Sequence, residues 1–197
     1  MRHTGTQTIA TERLTLRRFT IEDAENMYYN WASNPEVTRY LTWQPHKSVE
    51  ETAEILQQWE AGYSKNEFYQ WAIELNDIEQ PIGSISVVSL NEDVQSAELG
   101  YCIGKSWWHQ GYTTEAVEAV IRFLMAEVGA GRVWSQHDVA NPNSGEVMKK
   151  AGMDYEGTLR QSLKDNQGIV DSAVYAKISH VAFEEEPEAE EVSEAAE

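Results

Sequence analysis

Trp107-Trp108-His109-Gln110-Gly111-Tyr112-Thr113-Thr114-Glu115-Ala116-Val117 carries a polar, glycine-centred turn straight into an amphipathic helix. Val117, Val120, Ile121, Leu124 and Met125 recur at the spacing of one buried helical face, with Glu118 and Arg122 four apart on the other. Thr113 or Thr114 is the expected N-cap and Gly129 the expected stop. Gly111 can take backbone angles that a side chain forbids, so N–H groups of residues 109–114 can converge where the helix dipole favours an anion. Such a turn can hold a pyrophosphate by main chain alone. It can equally do no more than join a strand to a helix, so its neighbours decide.

The stretch just before it, Ser-Ala-Glu-Leu-Gly-Tyr-Cys-Ile at residues 96–103, alternates as a strand. Ala97, Leu99, Tyr101 and Ile103 share one face; Glu98, Gly100 and Cys102 share the other. A carboxylate and a bare glycine therefore look the same way. Gly100 and Gly104 weaken a strand unless something approaches closely, and such positions mark a bulge or a ligand lying along the backbone.

Working outward, an alternating strand at residues 13–19 leads to a helix opened by Thr20 with Asp23, whose stripe is Ile21, Ala24, Tyr28 and Trp31. Ser48 with Glu51 forms a capping box for a second helix carrying Val49, Ala53, Leu56 and Trp59. Strands follow at residues 69–75 and 82–88, then the Glu98 strand and the helix after Gly111. Residues 132–138 form a strand, 144–151 a short helix, and 155–162 and 169–178 two closing strands. This order of elements predicts one α/β (α+β) domain, a mixed sheet of about seven strands with helices on both faces. No repeat or linker divides it. Residues 1–10 are an N-terminal extension, 11–180 the domain, and 184–197 an acidic tail with Pro187 and little apolar content, expected to be disordered.

Composition excludes several classes. The tail holds eight glutamates and no basic residue, so more than half of the net charge of −18 lies in the body. An acidic body argues against nucleic acid, whose recognition begins with cations on phosphates, and favours a cationic partner. The one cysteine excludes an internal disulfide, and His3, His46, His109, His137 and His180 have no metal-ligand spacing, so no metal is expected. No apolar leader follows Met1 and no run approaches a membrane span, so a cytoplasmic protein is expected, without a membrane partner.

Ala97-Glu98-Leu99-Gly100-Tyr101, followed after a short connection by residues 108–116, resembles the acetyl-CoA-binding motif of the GNAT acetyltransferases, in the branch of the Rim-type ribosomal-protein N-terminal acetyltransferases. Thr11-Glu12-Arg13-Leu14-Thr15-Leu16-Arg17 resembles that branch's opening strand. Asn141-Pro142-Asn143-Ser144 with Lys150-Ala151-Gly152-Met153 resembles its late helix and exit turn, and residues 156–160 and 170–175 its final strands. The likeness spans residues 11–179. It implies a mostly antiparallel twisted sheet, acetyl-CoA as co-substrate, and an amine acceptor met by a monomer or homodimer.

The resemblance also assigns roles. Cys102, Ile103, His109, Gln110, Gly111, Tyr112, Thr113, Thr114, Asn141 and Ser144 would meet acetyl-CoA, although Asn141 can also simply stop a strand. Glu98 would lie beside the reacting carbonyl and serve as base, and N–H groups freed by irregular pairing at residues 101–103 would hold the oxyanion. The family pattern is incomplete here: Trp108 and Thr113 replace its outer residues and only the central glycine is kept. Main-chain N–H groups make the phosphate grip, so the bulk of Thr113 removes no donor. Met148 stands where many relatives carry a tyrosine that protonates the departing thiolate. Ser144 is the substitute, with Tyr101 in reserve, but Asn143, Ser144 and Glu146 also lie where a helix needs caps. Cys102 is a nucleophile only if a histidine lowers its pKa, and is otherwise a small core residue.

Tyr40, Trp43 and His46, in the loop between the first two helices, fall where GNAT-like folds cover the acceptor; packing the loop onto the core is the other reading. Three functions follow in order. The first is an acetyl-CoA-dependent N-acetyltransferase acting by direct transfer on a protein N-terminal amine or a small cationic amine. The second is an acyl-CoA-binding module of the same fold without turnover. The third, a domain for another nucleotide, is weakened by the lack of a Walker lysine or a full Gly-x-Gly-x-x-Gly.

Overall fold

Short alternating segments open the sheet: β1 (Ile9–Ala10) pairs antiparallel with β2 (Leu14–Arg17), where Leu14 and Leu16 point into the core. The computed structural model describes residues 1–179; the acidic tail lies outside them. β1 makes the sheet eight-stranded, one more than expected, because two residues are too few to show a period. Part of the segment set apart as an extension is thus built in: Thr6 is buried and donates to Phe68 O at 2.9 Å.

The first helical region is three pieces: a 3-10 turn Ile21–Asp23, α1 (Ala24–Met27) and a wide π turn Tyr28–Ala32. The changing pitch rotates the buried stripe, so Ile21 is exposed and Met27 joins Ala24 and Trp31 in the core. The predicted cap is present, Asp23 Oδ2 accepting from Thr20 N at 2.9 Å. α2 (Pro35–Thr38) follows an Asn34 cap, and α3 (Val49–Gly62) a Ser48 cap. Glu51 returns to Lys47 N, one residue before the cap, rather than to Ser48.

The remaining elements are β3 (Gln70–Leu75), β4 (Gln80–Asn91), β5 (Ser96–Ile103), α4 (Tyr112–Phe123), β6 (Arg132–Asp138), α5 (Pro142–Lys150), β7 (Asp154–Asp165) and β8 (Gly168–Ile178). Their order across the sheet is β1-β2-β3-β4-β5-β6-β8-β7. Every pairing is antiparallel except β5 with β6. α4 and the π turn Leu124–Val128 that continues it pack Val117, Val120, Ile121 and Leu124 onto one face with Leu14, Ile73, Ile85 and Leu99. On the other face Met27, Trp31 and Leu56 from the α1–α3 region meet Phe19 and Ala72. No helix among the described residues is long and apolar enough to cross a membrane.

Two helix starts differ from expectation. Gly111, at φ 84°, caps α4, which therefore begins at Tyr112 rather than after Thr113 or Thr114. α5 begins at Pro142 behind an Asn141 cap, because proline suits the first helical position. The helix after Gly111 ends as predicted, Gly129 taking φ 80°.

Candidate active site

β5 and β6 pair through only three positions, Ser96 with Arg132, Ala97 with Val133 and Glu98 with Trp134, and then part. Gly104 N donates to Ile82 O on the opposite side, so ladder alternation turns the peptide groups of Leu99, Tyr101 and Ile103 towards the gap. The expected irregularity at residues 101–103 lies elsewhere: the bulge is in β4, between Val87 and Ser89. It aims Val88 at Gly100, where an added Cβ would sit 2.8 Å from Val88 Cγ1. Gly100 thus makes room for a neighbouring strand.

A cleft of about 450 Å³ runs from this gap to the turn before α4. Of the residues expected to meet acetyl-CoA, Cys102, Ile103, His109, Gly111, Thr113, Thr114, Asn141 and Ser144 line it. Gln110 and Tyr112 do not: Gln110 Nε2 donates to Ser106 O, and Tyr112 lies 4.5 Å under the Arg13 guanidinium. His109 takes φ 60°, beside Gly111 at 84°. Glu115 N is the amide that returns to Gly111 O, so the N–H groups of Tyr112, Thr113 and Thr114 precede the helical ladder. These residues fit an anion held by main chain at a helix start.

Arg13 braces that turn from behind, a role that the motif did not reveal. Its Nε meets Glu115 Oε2 at 2.7 Å and its Nη1 donates to Gln110 O at 3.0 Å. Thr11 Oγ1 and Arg13 N both donate to Glu115 Oε1. The signal available in sequence was the acidic residue in the first turn of the helix after Gly111.

A second cavity, of about 500 Å³, holds Glu98 together with Tyr40, Trp43 and His46. Trp43 also packs against the α1–α3 core. Trp43 and His46 rings lie 5.2 Å apart, and His46 Nδ1 meets Thr52 Oγ1 at 2.8 Å. Burial holds the His46 pKa below its ordinary value. Glu98 accepts from Gln136 Nε2 at 2.9 Å. Burial raises its pKa, against the smaller opposing effect of that bond.

Cleft and cavity share one wall, made by Tyr40, Leu41, Tyr101, Cys102, Asn141 and Ser144. Tyr101 Oη lies 3.0 Å from Ser144 Oγ and 3.1 Å from Ser144 O. Because the tyrosine has one proton and the carbonyl can only accept, a proton given to Ser144 O leaves Ser144 Oγ–H donating to Tyr101. The serine therefore does not cap α5, which starts two residues earlier. Burial pushes the Tyr101 pKa well above its usual range. Met148 is fully buried in the core. The Cys102 thiol is also raised by burial and lies 3.5 Å from Ser84 Oγ, which suits a core residue and not a nucleophile.

A mixed sheet whose one parallel pair splays beside a main-chain anion turn, with a carboxylate across a shared wall, defines an acyl-transfer scaffold. Residues 13–154 match the acetyltransferase (GNAT) domain model. The chain is 32% identical over 168 residues to the uncharacterized N-acetyltransferase YoaA of Bacillus subtilis, covering 85% of this chain and 94% of that one. It is 31% identical over 97 residues to the ribosomal-protein-serine acetyltransferase of Escherichia coli, covering 49% and 54%. Mycobacterium smegmatis RimJ, solved with CoA-disulfide, superposes with a TM-score of 0.81 at 18% identity, covering 91% and 90%. The chain belongs to the GNAT acetyltransferase family.

Proposed function

We propose that the protein moves the acetyl group of acetyl-CoA directly to a primary amine, with both substrates bound at once. The observation that carries this reading is the shared wall: the anion turn opens only on one side of it and Glu98 only on the other. Acetyl-CoA would lie with its pyrophosphate on the N–H groups of residues 111–114 and its thioester at the wall. The acceptor amine would enter from the Glu98 cavity.

Glu98 takes the proton as the amine nitrogen bonds to the acetyl carbon, and its raised pKa brings it nearer that of a working base. Gln136 keeps the carboxylate oriented. Main-chain N–H groups facing the β5–β6 gap at Tyr101 and Ile103 face the developing oxyanion. As the carbon–sulfur bond breaks, the Ser144–Tyr101 hydroxyl pair supplies the thiolate's proton, and solvent restores it. Met148, being apolar and enclosed, has no part in this.

The Escherichia coli relative's designation supports a protein amine as acceptor, and the acidic body supports a cationic one such as a polyamine. Calorimetry with acetyl-CoA, followed by thiol release with Ala-, Ser- and Met-initiated peptides and spermidine, tests the reading. Micromolar binding and amine-dependent release are expected. Binding without release on any amine would leave an acyl-CoA-binding module in its place.

A further inference from the structure

The turn between β7 and β8 is far in sequence from the loop joining α2 to α3, yet two adjacent residues tie them together: Gln167 Oε1 accepts from Arg39 Nε at 3.3 Å, and Asn166 makes the larger set of bonds. Asn166 Nδ2 donates to Thr38 O at 2.9 Å and to Trp43 O at 2.7 Å. Its Oδ1 accepts from Gln44 Nε2, and its own N–H donates to Leu41 O at 3.1 Å. The side chain is thereby spent on Thr38 at the end of α2 and on Trp43 and Gln44 of the loop, and the main-chain N–H on Leu41. Asp165 Oδ1 accepts from Gln167 N at 2.7 Å and so shapes the turn that presents Asn166.

The loop so held is not part of any helix or strand between residues 39 and 48, and Tyr40, Leu41 and Trp43 from it line the acceptor cavity. The far side of the same cavity is made by β5 and β6, where Glu98 and Gln136 sit. β8 pairs with β6, and β7 with β8. Asn166 therefore reaches from the β6 side of the gap to the loop that closes the other side.

We propose that Asn166 is a positioning residue for the acceptor: it fixes the wall of residues 40–43 at the distance that presents an amine to Glu98. This rests on reading the Glu98 cavity as the acceptor site. The phosphate turn at residues 109–114 has no bond to Asn166 among those described, so acetyl-CoA affinity depends little on it. A loop released from these bonds still packs through Trp43 but samples positions that leave the amine out of line.

Asn166→Asp is the discriminating variant. It keeps size and one acceptor oxygen but removes both amide donors and sets an oxygen against the carbonyls of Thr38 and Trp43. Asn166→Ala removes the same bonds with less crowding, and Gln44→Ala removes only the outermost. In the full chain, both Asn166 variants should raise the acceptor KM about tenfold, the loss of one to two net hydrogen bonds, with kcat much less affected. Acetyl-CoA Kd should stay within about twofold, and amide exchange should quicken at residues 39–46 but not at 107–117. Gln44→Ala should keep the wild-type KM. A wild-type acceptor KM in Asn166→Asp overturns the assignment while leaving acetyl transfer intact. Failure of the wild-type protein to release thiol with any amine overturns the acetyl-transfer reading, and the acceptor role of Asn166 with it.

Discussion

The anion turn and the Glu98 cavity meet at one wall but are made of different material. The turn is one continuous stretch, residues 108–114, and offers main-chain groups; the cavity collects side chains from α1, the α2–α3 loop, α3, β5, β6 and β7. A site made of backbone depends on a few dihedral angles and tolerates changes of side chain. One made of side chains depends on the packing that brings distant segments together.

Removing the base should show the difference most strongly. Glu98→Gln should lower kcat by roughly a hundredfold to ten-thousandfold while sparing acetyl-CoA binding. In the wild type, kcat/KM should rise with pH through the Glu98 pKa, which burial has lifted, because the carboxylate is the active form. The variant should lose that rise. The same raised pKa means the native state holds this proton better than the unfolded chain, so stability falls as pH climbs through that window and Glu98→Gln should flatten the fall.

Ser144→Ala should cost about thirtyfold in kcat, less than the usual effect of losing an acid because Tyr101 remains, with thermal stability nearly kept. Unchanged turnover would free Ser144 from the chemistry. Gly111→Ala should act on the other region alone: forcing a side chain to φ 84° costs about 1–2 kcal/mol, so acetyl-CoA Kd should rise about tenfold with the acceptor KM unchanged. Thr113→Ala should alter that Kd by less than about twofold, since it removes no main-chain donor. A large loss there would mean that side chains, and not only backbone, hold the phosphate.

The same contrast explains what was legible in the chain. β5 and β6 were readable to the residue, as was the amphipathic run of α4, because each carries a local periodic pattern of apolar residues. Glu98 and the turn at Gly111 lie within that short span, so their positions in the fold were readable with it. The first helix was misread at Ile21 because its pitch changes twice, which no single period can express. Ser144 read as a proton donor or as a cap, because serine suits both jobs, and only the Pro142 start sets its hydroxyl on Tyr101. Gln136, Asn166 and Arg13 act through partners 38, 123 and 102 positions away, distances at which local pattern carries no signal.

Where β5 and β6 part, two side chains attend to the exposed edge. Ser135 Oγ donates to Leu99 O at 2.7 Å and Trp108 Nε1 to Ile103 O at 2.9 Å, one at each end of the gap. Between them stands the Tyr101 peptide, turned to the same side. On the proposed reading, acetyl-CoA would bring amides of its own to that peptide, so that loading the enzyme and filling the seam in its sheet would be a single event. The donor substrate would then serve as a structural element of the fold for the length of each turnover, and its departure would reopen the seam.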